Sequence, residues 1–356
     1  MKLISFLNCL LFVCIIFISC RREGPTPQNP SGSNVYISGL INNNTFGGIA
    51  VYWKNGAQVV LSDSDKTVLP GQSRNFNPQF IALSGSDVYV AGGESGSVNV
   101  YFKNGVRNVI TPGGSPAMTS FAVSGNDVYS TISSEENAYV KNGVTVLMKD
   151  SLISSTGFKT EQGLLGMQVA VSGQDVYFTA QEYDTLSFLS FSDKLSLSGY
   201  WKNGKRNLFG SESLETMPTG IAVSGQDVYV SANKYGTVHL GNNSLSVTFC
   251  DTAMYWKNGN PVYIGEGMTN AIAVSGTDVY LSGYIYDPSS ALGYDAIYWK
   301  NGVRTVLANN AYASGIAVSG NDVYVSGKIG DYAVYWKNGM VDTLGKGVAS
   351  AITIGN

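Results

Sequence analysis

This sequence contains few residues that could act in catalysis. His239 is the only histidine among 356 residues, so a histidine-based triad has one possible centre and a multi-histidine metal site is excluded. His239 alternates with Val238 and Leu240, which is typical of a strand and favours a surface position over a general base. Asp63 and Asp65 resemble the start of a calcium loop that lacks its glycine and distal glutamate. We predict no metal and no cofactor.

Paired carboxylates are the remaining route to catalysis, because glycosidases use two Asp or Glu side chains. Six such residues fall in long loops: Glu182, Asp184, Asp251, Asp287, Asp295 and Asp331. Sialidases also need clustered arginines, and Arg74 is the only arginine in these loops. Arg107, Arg206 and Arg304 follow turns on predicted outer strands, where a charge discourages edge pairing. A carboxylate-dependent glycoside hydrolase or polysaccharide lyase stays open as an alternative function.

Tyrosine is the residue type best suited to binding. Fourteen of the 22 tyrosines recur at two fixed positions of a repeat, where packing explains them, and eight do not. Seven of those eight lie in or beside variable loops: Tyr183, Tyr235, Tyr284, Tyr286, Tyr294, Tyr312 and Tyr332. Rings in such loops can stack on sugars or dock a protein partner, but packing within their own loops explains them equally well.

A repeat supplies the elements that position these residues. Its clearest copy, residues 315–344, reads GIAVSGNDVYVSGKIGDYAVYWKNGMVDTL. Four β-branched or aromatic runs form its first to fourth strands, with Ser-Gly-Asn-Asp joining the first two and Asn-Gly joining the last two. The second strand begins at Asn34, Asp87, Asp127, Asp175, Asp227, Asp278 and Asp322, at intervals of 40 to 53 residues. The sequence therefore predicts an all-β, seven-bladed β-propeller of four-stranded antiparallel blades.

The two ends of the chain are complementary. Residues 33–36 form a second strand without its first, and residues 351–356 form a first strand without its second. We expect the C-terminal strand to join the N-terminal blade and close the ring.

The repeat also separates two faces. Its Ser-Gly-x-Asp and Asn-Gly turns lie at one end of each blade, here called the constant face, where each repeated Asp should pair with the Lys that ends the third strand. The second-to-third loops and the crossovers lie at the other end, the variable face, where binding residues are expected.

Uncharged polar residues dominate the position just before each first strand, at the mouth of the predicted channel. The seven residues are Gln79, Thr119, Met167, Thr219, Asn270, Ser314 and Ser350. Converging groups of this kind suit a neutral, hydroxyl-rich ligand, although ordered water explains them equally well. We take Gln79 and Asn270 as further ligand-binding candidates.

The N-terminal segment predicts export. Residues 1–20 have Lys2, an apolar run and then Ser19-Cys20, which resembles a lipoprotein signal with Cys20 as the lipidated residue. An uncleaved apolar anchor is the alternative, and both tether the protein to a membrane. Residues 21–33 are a proline-containing linker and residues 34–356 form the propeller. Of the four cysteines, only Cys250 lies in the propeller, so no internal disulfide is possible.

Charge excludes one class of partner. The formal net charge is −3, with 22 basic and 25 acidic side chains, which does not suit nucleic acid.

At the repeats IAVSGxDVYV and YWKNG the chain resembles uncharacterised lipid-anchored β-propeller proteins of Bacteroidetes-type bacteria. That resemblance implies a propeller at the cell envelope, periplasmic or surface-exposed, and carries over no catalytic residue. The sequence favours a non-catalytic binding module for a glycan or an envelope protein over an enzyme or a structural spacer.

Overall fold

The computed structural model describes residues 32–42, 48–61, 76–113, 117–132, 138–147, 168–183, 196–209, 216–240, 245–289 and 293–355. Side chains of residues 180–197 and 236–251 are outside this description. Within these ranges all regular secondary structure is β-strand.

Five sheets contain four antiparallel strands each, in chain order. The first two comprise β4 (Asn77–Ser84), β5 (Asp87–Glu94), β6 (Val98–Lys103) and β7 (Val106–Thr111), then β8 (Met118–Ser124), β9 (Asp127–Ile132), β10 (Ala138–Lys141) and β11 (Val144–Leu147). The next comprises β12 (Val169–Ser172), β13 (Asp175–Tyr183), β14 (Ser196–Lys202) and β15 (Lys205–Leu208). The last two comprise β16 (Thr216–Ser224), β17 (Asp227–Leu240), β18 (Leu245–Lys257) and β19 (Asn260–Glu266), then β20 (Met268–Ser275), β21 (Asp278–Tyr286), β22 (Tyr294–Lys300) and β23 (Val303–Ala308).

A sixth sheet joins the two ends of the chain. Its seven strands are ordered β24-β25-β26-β27-β1-β2-β3. They are β24 (Ala311–Ser319), β25 (Asp322–Ile329), β26 (Tyr332–Lys337), β27 (Met340–Gly355), β1 (Asn34–Ile41), β2 (Ile49–Lys54) and β3 (Ala57–Val60). The first part of β27 pairs with β26, and its second part pairs with β1 from Gly347 opposite Ile41 to Gly355 opposite Asn34. The predicted pairing of the C-terminal strand with the N-terminal strands is therefore present.

The Asn-Gly turns have the backbone that their sequence predicts. Both central residues have positive φ, for example 51° at Asn55 and 80° at Gly56, as a type I′ turn requires. The same turn follows the third strand in all seven repeats. Because its twist matches that of the flanking strands, it fixes the register of each outer hairpin.

The core lies between neighbouring sheets. All five tryptophans are at most 2% exposed, and the ring of Trp256 on β18 stacks on Phe209, which follows β15 of the preceding sheet, at 4.5 Å between centroids. Phe102 and Val140 take the tryptophan position in two repeats and are equally buried. The prediction that the repeated aromatics pack between blades is confirmed.

One predicted surface charge is in fact paired and largely buried. The Nε and Nη2 atoms of Arg107 donate to the two carboxylate oxygens of Glu94 at 2.8 and 2.6 Å, and the Glu94 side chain is 2% exposed. Arg107 lies on the outer strand β7, as predicted, but its ion pair with Glu94 was not predicted. Arg304, at the same repeat position, is exposed as predicted, because Ile285 stands in its repeat where Glu94 stands here. Glu182 is the other glutamate at this position, and its side chain lies outside the described part of the chain.

Contacts between first strands connect the sheets in chain order. They run from β4 to β8, β12, β16, β20, β24 and β27, and β27 in turn contacts β4. Ser84 at the end of β4 donates its hydroxyl to the carbonyl oxygen of Gly125 in the next sheet at 2.8 Å. Four-stranded antiparallel sheets arranged by their first strands around an axis make this chain a β-propeller.

Candidate functional site

A β-bulge interrupts the first strand in six of the repeats, at one repeat position, whereas the described part of β12 pairs without a bulge. The pairing with the second strand skips Gln79, Thr119, Thr219, Asn270, Ser314 with its neighbour Gly315, and Ser350. These are the polar residues predicted to lie just before the first strands, and that placement is wrong because they lie inside them. A break in apolar alternation marks either a strand end or a bulge, and the sequence does not distinguish the two. Met167 lies outside the described residues.

Glycines of the second strands accommodate these bulges. If these glycines had a Cβ atom, it would lie 1.8 to 2.1 Å from a carbonyl oxygen of the neighbouring first strand, which is closer than any side chain tolerates. That oxygen belongs to the residue two positions before the bulge residue. The glycines are Gly39, Gly92, Gly283 and Gly327. In these four repeats the glycine after the start of the second strand permits this close approach, whereas Ile132 and Ala232 take its position opposite the bulges at Thr119 and Thr219.

The side chains of two bulge residues bind groups in the next sheet. Thr219 Oγ1 lies 3.0 Å from Ser231 Oγ in its own sheet and 2.7 Å from Thr269 Oγ1 in the next. Asn270 Nδ2 donates to the carbonyl oxygen of Ala313 at 2.6 Å. These bonds tie adjacent blades together, so a ligand in the channel would have to compete with them.

Four of the predicted tyrosines form one group, here called the tyrosine cluster. The ring of Tyr284 meets Tyr294 edge-on at 4.8 Å between centroids and Tyr312 at 5.1 Å, and Tyr294 meets Tyr286 at 6.3 Å. Tyr286, Tyr294 and Tyr312 are 67%, 40% and 36% exposed. The cluster therefore presents aromatic surface to solvent at the variable face.

Two blades supply the cluster. Tyr286 and Tyr294 face each other at the loop end of β21 and β22, whereas Tyr312 comes from the start of β24 in the next sheet. The hydroxyl of Tyr284 donates to the sulfur of Met268 at 2.9 Å, which holds this ring at the centre of the group. Sequence spacing alone did not show that Tyr312 meets the other three tyrosines, because it belongs to the next repeat.

Asn270 joins the cluster through Tyr312. Its side chain hydrogen-bonds to the Tyr312 hydroxyl, and burial raises the pKa of Tyr312 above the ordinary value. The Tyr312 hydroxyl is consequently neutral at physiological pH. The cluster offers uncharged hydrogen-bonding groups beside its rings.

Two carboxyl groups border the cluster. Asp287 and Asp295 lie near each other, and the pKa of Asp287 is held below its usual value mainly by the hydroxyl and N–H of Ser289. Asp295 is 5% exposed and accepts the N–H of Asn310 at 3.0 Å. A glycosidase needs two carboxylates that both face the substrate, and the burial of Asp295 does not match that arrangement.

The other predicted site residues lie apart from the cluster. Gln79 is exposed at the bulge of β4, and Tyr332 is 46% exposed at the start of β26. The Tyr235 hydroxyl on β17 contacts the sulfur of Met217 at 3.5 Å. Asp331 is exposed beside Tyr332. Four predicted side chains fall outside the described part of the chain: Tyr183, Glu182, Asp184 and Asp251.

The constant face carries a recurring polar group. In one repeat Lys257 Nζ lies 2.9 Å from Asp227 Oδ2 and 5.3 Å from the centre of the Tyr229 ring. Asn258 donates to Asp227 Oδ1 at 2.7 Å and accepts the N–H of Val228 at 2.8 Å. The predicted Lys–Asp pairs are confirmed in all six repeats that have the aspartate. The tyrosine and asparagine contacts were not predicted, although both residues recur with the pair.

The described residues contain neither a cluster that could hold a metal ion nor a helix that could span a membrane. No group of three or more His, Cys, Asp or Glu side chains there could hold a metal ion. Among the same residues no helix is long and apolar enough to cross a membrane.

Comparison with known proteins identifies architecture only. No protein-family model and no curated protein sequence matches the chain. The tricorn protease has a TM-score of 0.51 with 7% identity over 90% of this chain and 36% of its own. The shared feature is the fold. An apocarotenoid oxygenase from Synechocystis (TM-score 0.49, 8% identity, 91% of this chain and 92% of its own) and the Dos1 propeller (0.46, 9%, 88% and 86%) are also similar. At these identities the likeness transfers no activity.

Proposed function

We propose that the protein is a membrane-tethered, non-catalytic module that binds a glycan through the tyrosine cluster on its variable face. The observation that carries this proposal is the exposure of three tyrosine rings, Tyr286, Tyr294 and Tyr312, that are connected through Tyr284. Packing of these residues within their own loops predicts buried rings. Exposed rings supported from two blades fit a binding surface better than a structural spacer.

Sugar chemistry suits this surface. Sugar rings have apolar faces that stack on aromatic rings and hydroxyl groups that need neutral hydrogen-bonding partners. The Tyr hydroxyls and the amide of Asn270 supply such partners without a full charge. A protein partner from the envelope could use the same rings, and it is the second class of ligand that the experiment below distinguishes.

The runner-up function has weaker support. A glycoside hydrolase or lyase needs two carboxylates spaced around a scissile bond. Of Asp287 and Asp295, the described carboxylates nearest the cluster, Asp295 is buried and accepts the N–H of Asn310. We therefore favour binding without turnover.

A ring of seven blades is part of the proposal. The two pairings of β27 divide the seven-stranded sheet into two four-stranded blades, β24 to β27 and the end of β27 with β1 to β3. Contact of β27 with β4 supports closure of the circuit of first strands. Lipidation at Cys20 and a cell-envelope location belong to the same proposal and rest on the sequence of residues 1–20.

A polysaccharide panel tests the binding function. Residues 31–356 are screened by gel retardation in plant, host and envelope polysaccharides, with reducing and unsaturated ends measured in parallel. Tyr286→Ala and Tyr312→Ala should each weaken retardation roughly two- to tenfold, since aromatic contacts contribute about 0.5–1.5 kcal/mol. Tyr263→Ala is the matched control, because Tyr263 is 47% exposed on β19, outside the cluster.

Each outcome points in one direction. Retardation without product, lost in the cluster variants and kept in Tyr263→Ala, supports the glycan-binding module. Release of product overturns it in favour of an enzyme. No retardation and no product direct the search to an envelope protein, captured by the wild type and not by Tyr286→Ala.

A further inference from the structure

The described chain begins on the constant face. Asn34 pairs with Gly355 at the end of the innermost strand, and Ser33 Oγ lies 2.9 Å from Ser319 Oγ, the last residue of β24. Both contacts are at the turn end of the blades. Residues 1–31, including the predicted membrane anchor, therefore connect to the ring from this face.

The tether is short compared with a free linker between domains. Residues 21–33 reach at most about 45 Å when fully extended, at about 3.5 Å per residue. A partly extended, proline-containing segment reaches less. The face that carries the tether is consequently kept near the surface to which the anchor is attached, whereas the tyrosine cluster lies at the opposite end of the blades.

Basic charge exceeds acidic charge on the constant face. Six of the seven repeated lysines pair with a carboxylate there. Lys54 faces Asn34 in place of an aspartate, and Lys205 and Arg304 follow the Asn-Gly turns. Within the described residues these three side chains have no carboxylate partner. The surplus suits the anionic headgroups of a bilayer, even though the whole chain is acidic.

Apolar side chains protrude between these charges. Val106, Val144, Val303 and Met340 each follow an Asn-Gly turn at the start of a fourth strand, and they are 66%, 65%, 70% and 72% exposed. They lie on four different blades around the rim of the same face. Exposed apolar residues flanked by lysines are the composition of surfaces that sit at a lipid–water interface.

We infer that the constant face rests on an anionic lipid surface, with these rim residues at the headgroup level and the tyrosine cluster directed away from the membrane. The inference rests on the membrane tether of the proposed function and is independent of what the tyrosines bind. It gives the two faces different tasks. One holds the ring against the membrane, and the other is presented to a ligand.

Depth-dependent quenching tests this orientation. The full chain, with Cys9, Cys14 and Cys250 replaced by Ser, is reconstituted into phosphatidylethanolamine–phosphatidylglycerol vesicles that contain nitroxide-labelled lipid. A fluorophore is attached through Val303→Cys on the constant face or Tyr286→Cys on the variable face, two positions with 70% and 67% exposure. We expect at least threefold stronger quenching at position 303 than at position 286.

Charge-reversal variants test whether electrostatic attraction to anionic lipid holds the constant face at the membrane. Lys205→Glu with Arg304→Glu should reduce quenching at position 303 by half or more, as should replacing phosphatidylglycerol with phosphatidylcholine. Lys346→Glu, which reverses an exposed charge in the middle of β27 opposite Tyr332 on the variable face, should leave it unchanged. Equal effects of the two sets of variants would contradict a role for the constant face.

The failures are distinguishable. A chain that does not float with the vesicles lacks the tether, which overturns that part of the proposed function and the inference with it. A chain that floats but shows equal quenching at both positions, or stronger quenching at position 286, overturns the inference alone. The glycan panel reports on the tyrosines independently of all these results.

Discussion

Single residues decide how closely the inner strands approach. Gly92 has ordinary strand dihedrals, yet its Cβ position lies 1.9 Å from the carbonyl oxygen of Asn77. The neighbouring Gly93 has open space at the same point. The two glycines look alike in the sequence and differ only in what the bulge of β4 places beside them.

Alanine substitutions at these two glycines should have opposite effects. Gly92→Ala forces the strands apart and should lower the free energy of unfolding by about 1–3 kcal/mol, the usual result of overpacking. Gly93→Ala should be neutral or stabilise by up to about 1 kcal/mol, because it restricts the unfolded chain. Urea unfolding of both variants measures the difference, and equal stabilities would show that the bulge does not constrain position 92.

Arg107 and Arg304 occupy the same repeat position, so comparing them measures what the buried ion pair contributes to stability. Arg107→Met leaves the Glu94 carboxylate buried without its cation, so we expect a loss of about 3–5 kcal/mol in stability. Arg304→Met, at the same repeat position but exposed, should change stability by at most about 0.5 kcal/mol. Thermal unfolding at neutral pH compares them, and restoration of stability in the double variant Glu94→Gln, Arg107→Met would identify the unpaired charge as the cause.

At the scale of the element, each blade is held at the constant face by one hairpin that contacts its second strand. The Asn of the Asn-Gly turn provides the positive φ and binds the Asp and backbone of the second strand. The Lys before it contacts both the Asp and a Tyr ring. These contacts explain why the Asp, Tyr, Lys and Asn positions recur, whereas the loops at the other end of the blade vary.

The pH dependence of this contact can be measured in one blade. Hydrogen bonds from Lys257 and then Asn258 hold the pKa of Asp227 below its usual value, so the carboxylate stabilises the fold above pH about 4, its unfolded value. This contribution disappears as the pH falls through the lower, folded pKa. Asp227→Asn should therefore lower the Tm slightly at pH 7, and the difference from wild type should vanish near pH 2.

The first blade provides the reciprocal control. Asn34 occupies the aspartate position there and accepts a hydrogen bond from Asn55 at 2.8 Å. Asn34→Asp should raise the Tm slightly at pH 7 and not at pH 2, because Lys54 lies at the corresponding position. A difference that persists at pH 2 in either variant would mean that the carboxylate charge is not responsible.

At the scale of the whole molecule, stability depends on the joining of the two chain ends. The end of β27 is the innermost strand for β1, β2 and β3, and it also contacts β4. Without it, β1 presents an unpaired edge and the cores beside it lose Ala349 and Ile352, both at most 8% exposed. The propeller cannot lose this strand locally, because each blade buries its faces only against its neighbours.

Deletion of residues 349–356 should therefore destabilise the entire ring. We expect a fall in Tm of at least about 10 °C, or recovery of the protein only as aggregate. Removal of residues 1–30, which precede the ring, should leave the Tm unchanged. An unchanged Tm after the C-terminal deletion would contradict closure by β27.

The sequence by itself determined the blade. Its strands, both turns, the buried aromatics and the Lys–Asp pairs follow from short-range patterns within 40 to 53 residues, and local backbone preferences are sufficient to specify them. The pairing of the chain ends was also readable, because each end lacks the strand that the other supplies.

Only the tertiary structure decided what meets between blades. Tyr284 and Tyr312 come from different repeats, yet their ring centroids lie 5.1 Å apart. The bulges were hidden as well, since a bulge residue and a residue before a strand break the alternation in the same way. These contacts depend on how neighbouring sheets pack, and a single repeat carries no record of its neighbour's side chains.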